Sequence, residues 1–333
     1  MVRVTFKQAA KQSGMFDVHS FRGSGTTKKS REAEWLKFRT KGVGGSDMST
    51  ILGLNTFETP ARLWEEKTGR RTPDDISDKW SIVKGNALEP ELRNRFKRIH
   101  AGELETVDGS DKSLVSKEHP CMHASLDGLL YDPKTDSYGV LEIKTANEYR
   151  GKLHWHDQQG NLVIPDYYMA QVTHYLAVTG FTWGWVYADI GESEPVEIRF
   201  ERDEQDVQTV INAAEEFWHF VQNDEMPQLT GTDVDRVQAE QPYPEGFEQI
   251  EDSDFDQLSA LYESYAQAES DARKSKARIA DRLKQLVGGQ REGLISPKWQ
   301  VGYRTVHFKE QAARPAKPAY DQRRFYVKQL KEN

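Results

Sequence analysis

The sequence predicts a mixed α/β fold: a central sheet of parallel and antiparallel strands flanked by helices, then a long helix and a basic terminal hairpin and tail. Helical stripes with capping residues occupy much of 31–99, 166–179 and 203–221. Extended apolar segments fill 114–144 and 183–200, and one charge-laced helical pattern runs over 258–286.

Residues 1–30 contain Gly23, Ser24, Gly25, Thr26 and Thr27 without a sustained period and read as a basic flexible arm. Trp35, Leu36 and Phe38 then give a helical stripe over 32–41. After Gly42-Val43-Gly44-Gly45, Ser46 is expected to cap a short helix carrying Met48, Ile51 and Leu52 that stops at Gly53. Thr59 as N-cap, Pro60 in the first turn, Leu63 and Trp64 inward and Gly69 past the end define a third helix. A fourth spans 82–99, with Leu88, Leu92, Phe96 and Ile99 on one stripe. Strands follow at 114–115, 122–131 and 138–144, the last two separated by the turn-rich 132–136. A helix over 166–179 ends at Gly180, strands lie near 183–190 and 196–200, and Asp203 opens a helix to 221. The expected organisation is an arm (1–30), a core (31–230), an acidic connector (231–256) and a long helix with hairpin and basic tail packed on the core (257–333).

The 333 residues are 37% hydrophobic and 29% charged, with a net charge of −8, enough for a core and high solubility. No apolar run is long enough to cross a membrane, and no apolar stretch follows the basic residues at the start. The single Cys121 excludes a disulfide framework or an all-cysteine metal site within one chain, so a reducing, cytoplasmic setting is expected. Charge is polarised: residues 1–45 carry ten Lys/Arg against three acids, and 297–333 carry nine against three, leaving an acidic middle. Basic ends on an acidic body suit a polyanion held by local patches.

The chemistry concentrates in Ser125-Leu126-Asp127-Gly128-Leu129 and Gly139-Val140-Leu141-Glu142-Ile143-Lys144. Alternation on a strand puts Glu142 and Lys144 on one face and Leu141 and Ile143 on the other. If the two segments pair through the 132–136 turn, Asp127 reaches the same site. Two carboxylates and the Ile143 carbonyl are hard oxygen donors of the kind Mg²⁺ takes, and Lys144 can orient water or stabilise a phosphorane-like transition state. Other E/D-x-K matches lack this context: Glu65-Glu66-Lys67 ends a helix and Asp132-Pro133-Lys134 sits in a turn. Glu89, beside Leu88 at the border of a buried stripe, needs a partner or a metal. Gln171 and Tyr175 stand at i, i+4 on one helix face. His119, Cys121 and His123 alternate as a zinc set would, but no further cysteine is present. Gly44-Gly45 lacks the Gly-Lys-Ser/Thr of a nucleotide-binding loop.

The ordered series Glu34-Trp35-Leu36-x-x-Arg39, Gly44-Gly45-Ser46-Asp47-x-x-x-Ile51-Leu52-Gly53, Thr59-Pro60, Gly85-x-x-x-Glu89-Pro90, Ser125-Leu126-Asp127-Gly128, Glu142-Ile143-Lys144 and Gln171-x-x-x-Tyr175 resembles the YqaJ-type viral recombinases. These are lambda-exonuclease-like phage nucleases of the PD-(D/E)xK superfamily, and the resemblance covers residues 31 to about 222. It implies a restriction-endonuclease-like fold and an exonuclease that resects linear double-stranded DNA 5′→3′, leaving 3′ tails for a single-strand annealing protein. Asp127, Glu142, Ile143 and Glu89 would hold Mg²⁺ (two ions, with Mn²⁺ substituting), Lys144 would be the catalytic lysine and Gln171 its polar support. Arg39, Ser46 and Tyr175 would meet the 5′-phosphate and DNA. A homo-oligomeric ring in the cytoplasm of a bacterial host is implied too. A structure-specific or host-DNA-degrading endonuclease on the same fold, or a non-catalytic DNA-end-binding protein, are the alternatives. Leu126 stands where the family's motif has proline.

Overall fold

A computed structural model describes residues 4–23, 27–191, 194–240 and 246–304. The chain divides into two compact units, Met1–Val237 and Gln238–Asn333.

The first unit opens with α1 (Phe6–Ser13), whose N-cap Thr5 accepts from Gln8 N–H, and β1 (Phe16–Ser20). The expected arm is therefore corrected over this stretch. Phe6, Ala9 and Phe16 are buried in the main core, and β1 pairs antiparallel with β4 further on, Phe16 opposite Ser116. The missed signal was apolar spacing too short to register as a period. Then come α2 (Lys28–Arg39), capped by Thr27, the two-residue β2 (Val43–Gly44), α3 (Gly45–Ile51) and α4 (Pro60–Lys67), capped by Thr59 as expected. Ser46 does not cap α3. The helix begins one residue earlier, and the Asp47 carboxylate accepts from Gly44 N–H at 2.9 Å.

The long α5 (Trp80–Ile99) follows, with Pro90 inside it. Leu92 and Phe96 are buried and Leu88 is partly buried, but Ile99, the last residue of the helix, is exposed. Next are β3 (Glu105–Asp108), β4 (Lys112–Ser116), β5 (Met122–Ala124), β6 (Gly128–Asp132) and β7 (Ser137–Thr145). The single strand expected over 122–131 is broken at 125–127, and its two halves enter different sheets. Gly109 explains part of the bend. Its N–H donates to Asp127 O at 3.1 Å, and a Cβ there would lie 1.8 Å from Leu126 O, so only glycine allows the approach.

The unit continues with α6 (Glu148–His154), α7 (Asp166–Thr179), β8 (Trp183–Asp189), β9 (Val196–Glu201) and α8 (Glu204–Asn223). As expected, Gly180 ends α7 at φ 70° and Asp203 caps α8. One sheet runs β1-β4-β5-β2 and the other β3-β6-β7-β8-β9. In the second, β7 is antiparallel to β6 and parallel to β8, which makes the predicted mixed central sheet. Its two faces hold two cores. Val140, Val186 and Phe200 pack with α7 and α8, whereas Leu141, Ile143, Trp183 and Tyr187 pack with Leu92 and Phe96 of α5. Each such apolar side chain contributes about 1.5–3 kcal/mol when removed from water.

The expected connector contains a helix, α9 (Gly231–Glu240). Asp233 of α9 is buried and accepts from the Thr59 hydroxyl at 2.6 Å, so this end of the connector is tied to the core. The second unit contains α10 (Ser253–Val287) and a hairpin of β10 (Gly293–Ile295) and β11 (Gln300–Gly302). The expected basic tail from 305 onward lies outside the described residues.

Candidate active site

The β6–β7 hairpin positions the acids. Gly128 pairs with Leu141, so Asp127, one residue before β6, stands opposite Glu142. Asp127 is fixed three times: its Oδ2 accepts from Ile143 N–H at 2.7 Å, and its carbonyl accepts from Gly109 N–H and from Arg93 Nη1 at 2.9 Å. Glu142 and Lys144 point toward α7 as strand alternation requires, while Leu141 and Ile143 are buried on the α5 side. Lys144 Nζ donates to Glu142 Oε1 at 2.5 Å and to Gln171 Oε1 at 3.0 Å. It also lies 4.6 Å above the Tyr168 ring. Gln171 Nε2 donates to Glu142 Oε1 at 2.6 Å and to Tyr175 Oη at 2.7 Å. These side chains line a cleft of about 1350 Å³ whose other walls include Arg39, Ser46, Phe57, Glu89 and Arg150.

The electrostatics are strained in one direction. Burial, then repulsion from Glu142 and Glu89, raises the Asp127 pKa well above the usual carboxylate range. Burial raises Glu142 as well, although Lys144 offsets part of the effect. For Lys144, burial opposes the ammonium, but Glu142, Tyr168 and Asp127 outweigh it and hold the pKa above that of an ordinary lysine. Lys144 is therefore a fixed cation and not a proton acceptor at neutral pH. Glu142 Oε2 is buried with no hydrogen-bond partner among the described residues.

A second cluster forms at the α2–α3 end of the cleft. Arg39 Nη2 donates to Ser46 Oγ at 2.8 Å and to Asp47 Oδ1 at 3.0 Å. The buried Lys67 donates to Asp47 Oδ2 at 2.6 Å and to the Arg39 carbonyl at 2.9 Å. Burial opposes the Asp47 carboxylate, yet Lys67 and Arg39 pull its pKa down to about 2. Arg39 also stacks on Trp35, 5.0 Å from the ring centroid.

Residues 34–182 match the model of the YqaJ-like viral recombinase domain, a stretch that contains Arg39, Asp127, Glu142, Lys144 and Gln171. The chain is similar to YqaJ of Bacillus subtilis (strain 168), 34% identical over 215 residues that span 64% of this chain and 63% of that protein. Among solved structures it resembles the alkaline exonuclease LHK-Exo from Laribacter hongkongensis, at 20% identity and TM-score 0.44, covering 62% of this chain and 98% of that one. It also resembles a phage-related exonuclease from Haemophilus somnus 129PT, at 11% identity and TM-score 0.36, covering 57% and 99%.

Within the matched region, Asp127, Glu142, Lys144 and Gln171 come together, and Arg39 and Ser46 meet at the far wall. Two expectations change. Tyr175 lines the cleft but is buried, and its hydroxyl accepts from Gln171, so in this structure it braces the Glu142–Lys144–Gln171 cluster. Glu89 faces the cleft, but its carboxylate pairs with Arg93 at 2.9 Å. Among the described residues no three His, Cys, Asp or Glu side chains group around an ion. Asp127 and Glu142 are the facing acids of the cleft, and Glu89 has one oxygen, Oε1, held by Arg93. His119, Cys121 and His123 also diverge: His119 bonds to Glu215, His123 stacks on Phe38, and Cys121 is partly buried.

Sequence reasoning passed over Asp47, Lys67, Arg93 and Tyr168. Tyr168 stands three residues before Gln171 on α7, a spacing that could have shown it. Lys67 belongs to the Glu65-Glu66-Lys67 triplet set aside as a false match. That triplet is indeed helical, but its lysine serves Asp47.

Proposed function

We propose that this chain is a divalent-metal-dependent exonuclease that resects linear double-stranded DNA 5′→3′. The 3′ single-stranded tails would pass to a single-strand annealing protein in phage-type recombination, inside the cytoplasm of a bacterial host. The convergence of Asp127, Glu142 and Lys144 on one cleft supports this reading above all else.

The residues fit a hard cation. Two adjacent buried acids, both with raised pKa, and a Glu142 Oε2 without a hydrogen-bond partner among the described residues are groups that a divalent ion would satisfy together. Asp127, Glu142 and the Ile143 carbonyl would hold Mg²⁺, or Mn²⁺ in its place. Bound there, the ion would neutralise charge on the scissile phosphate and lower the pKa of the attacking water. Lys144, kept protonated by Glu142, stabilises the negative charge that builds on the phosphoryl oxygens. Gln171 orients both Glu142 and Lys144. Arg39 and the Ser46 hydroxyl supply a forked donor set for a terminal 5′-phosphate. A homo-oligomeric ring, as the family resemblance implies, would keep such an enzyme on its substrate.

The test is timed digestion of end-labelled linear duplex with Mg²⁺, beside covalently closed DNA. Mononucleotides released from 5′ ends of the linear substrate alone, and arrest by EDTA, are expected. Cleavage of closed circles would favour an endonuclease on the same fold, and retention of ends without cleavage a binding protein.

A further inference from the structure

The Lys144 ammonium is held by more than its hydrogen bonds. A lysine carries its charge on a flexible four-carbon stem, so a fixed position needs several contacts. Two are polar: Nζ donates to Glu142 Oε1 at 2.5 Å and to Gln171 Oε1 at 3.0 Å. The third is the ring of Tyr168, whose centroid lies 4.6 Å from the nitrogen. A cation over an aromatic face is attracted by the negative charge of that face, most strongly where water is excluded. The Lys144 side chain is 16% exposed, so water is largely excluded here. Tyr168 stands three residues before Gln171 on α7, which puts both side chains on one face of the helix. The ring is itself confined. Its centroid is 5.7 Å from that of Trp155, buried at the C-terminal cap of α6, and 4.4 Å from that of Tyr167.

The two polar contacts share one dependence. Gln171 Nε2 and Lys144 Nζ both donate to Glu142 Oε1, so that carboxylate anchors the lysine directly and the amide beside it as well. A divalent cation on Glu142 would draw on the same negative charge. The ring contact does not pass through Glu142 and would outlast that change. We propose that Tyr168 is a positioning residue for Lys144: its ring face keeps the ammonium in place in the cleft while Glu142 is engaged elsewhere. This inference rests on the exonuclease reading and gives Tyr168 no contact with the reacting atoms. The aromatic face is the part that matters, and the phenol oxygen is dispensable.

The experiment has a kinetic and a spectroscopic arm, both on the full chain. Tyr168→Leu is expected to lower kcat on linear duplex by roughly 10- to 30-fold, the size of a water-shielded contact between a ring and a cation. KM for the duplex should move by no more than about twofold, because Arg39 and Ser46 are untouched. Tyr168→Phe is expected to restore most of the loss. Phenylalanines bearing one, two and three ring fluorines at this position weaken the negative face in steps, and log kcat should fall in step while the melting temperature does not. In the second arm, the ε-methylene protons of a lysine held over a ring resonate upfield. Protein labelled at lysine is expected to show such a signal in EDTA and to keep it in Mg²⁺. The signal should vanish in Lys144→Arg and Tyr168→Leu and persist in Tyr168→Phe. Absence of the signal, its loss in Mg²⁺, a kcat flat across the fluorinated series, or a Tyr168→Phe as impaired as Tyr168→Leu would each overturn the proposal. A wild type that shows the signal and cuts no DNA would overturn the exonuclease reading, with the hold of the ring on the ammonium upheld.

Discussion

Gln171 Nε2 lies 2.6 Å from Glu142 Oε1, so an amide from α7 and a carboxylate from β7, 29 residues apart, fix each other in the floor of the cleft. The same oxygen takes the Lys144 ammonium, which leaves Oε2 as the open half of the carboxylate. Glu142→Gln keeps the shape and removes the charge. Activity on linear duplex is expected to fall by roughly 10³-fold or more, a loss typical of removing one electrostatic element of an active site. Because the native site raises the pKa of Glu142, the variant should be no less stable than the wild type. Thermal unfolding and turnover measured together check both halves.

Cation binding should be visible without DNA. Mg²⁺ or Mn²⁺ at 100 times its Kd adds about 2.7 kcal/mol to stability by mass action. The wild-type melting temperature is expected to rise with added cation and to return with EDTA. Asp127→Asn should abolish that response while staying folded. A cation-dependent rise preserved in the variant would place the ion elsewhere.

Asp47 links the far wall to the fold. Asp47→Asn leaves Lys67 buried without a counter-charge, and breaking a buried pair costs roughly 3–5 kcal/mol. Arg39 loses the carboxylate that holds it over Ser46. Rates on 5′-phosphorylated and 5′-hydroxyl ends, compared in the same preparation, are expected to converge. A preference for phosphorylated ends as strong as in the wild type would separate Asp47 from end recognition.

Two histidines give the fold an acid-sensitive limb. Burial pushes His174 down to about 4, and burial with Lys67 nearby does the same for His123. The unfolded chain takes up these protons near pH 6.5, before the native chain does. Stability is therefore full above pH 6.5 and declines as pH falls from 6.5 toward 4, by about 3 kcal/mol for each histidine. His174 Nε2 bonds to the His123 carbonyl at 3.0 Å, so His174→Gln can keep a donor there while removing the titration. Denaturant midpoints across that window should fall less steeply in the variant.

Residues 4–20 are structural. Phe16 is buried edge-on against Phe181, with ring centroids 5.8 Å apart. Phe16→Ala should cost about 3–5 kcal/mol, as core aromatic truncations do. Chemical denaturation with an unchanged m-value would register it as a loss of native stability.

How much of this was legible follows from which interactions are local. The Asp127–Glu142 alignment could be read because a hairpin joins the two segments and strand alternation does the rest. Thr59, Gly180 and Asp203 announced helix ends through caps that act within four residues. The break at 125–127 could not be read, since its cause is Gly109 and Arg93, which reach Asp127 from other elements. Glu89 was rightly marked as needing company, but the company is the Arg93 guanidinium one turn along its own helix. The ordering of α1 and β1 was hidden because β1 pairs with β4, Phe16 opposite Ser116, and Phe16 packs on Phe181, both far along the chain.

Gly45 touches Tyr175 so closely that a Cβ there would stand 2.5 Å from the ring. Tyr175 bears on Gln171, and Gln171 on Glu142, so the clamp around Arg39 and the hydrolytic centre are joined by contacts with no slack. If the chain acts as proposed, the distance from the phosphate clamp to the point of hydrolysis is thereby held constant, and a bulkier residue at 45 would push one end against the other.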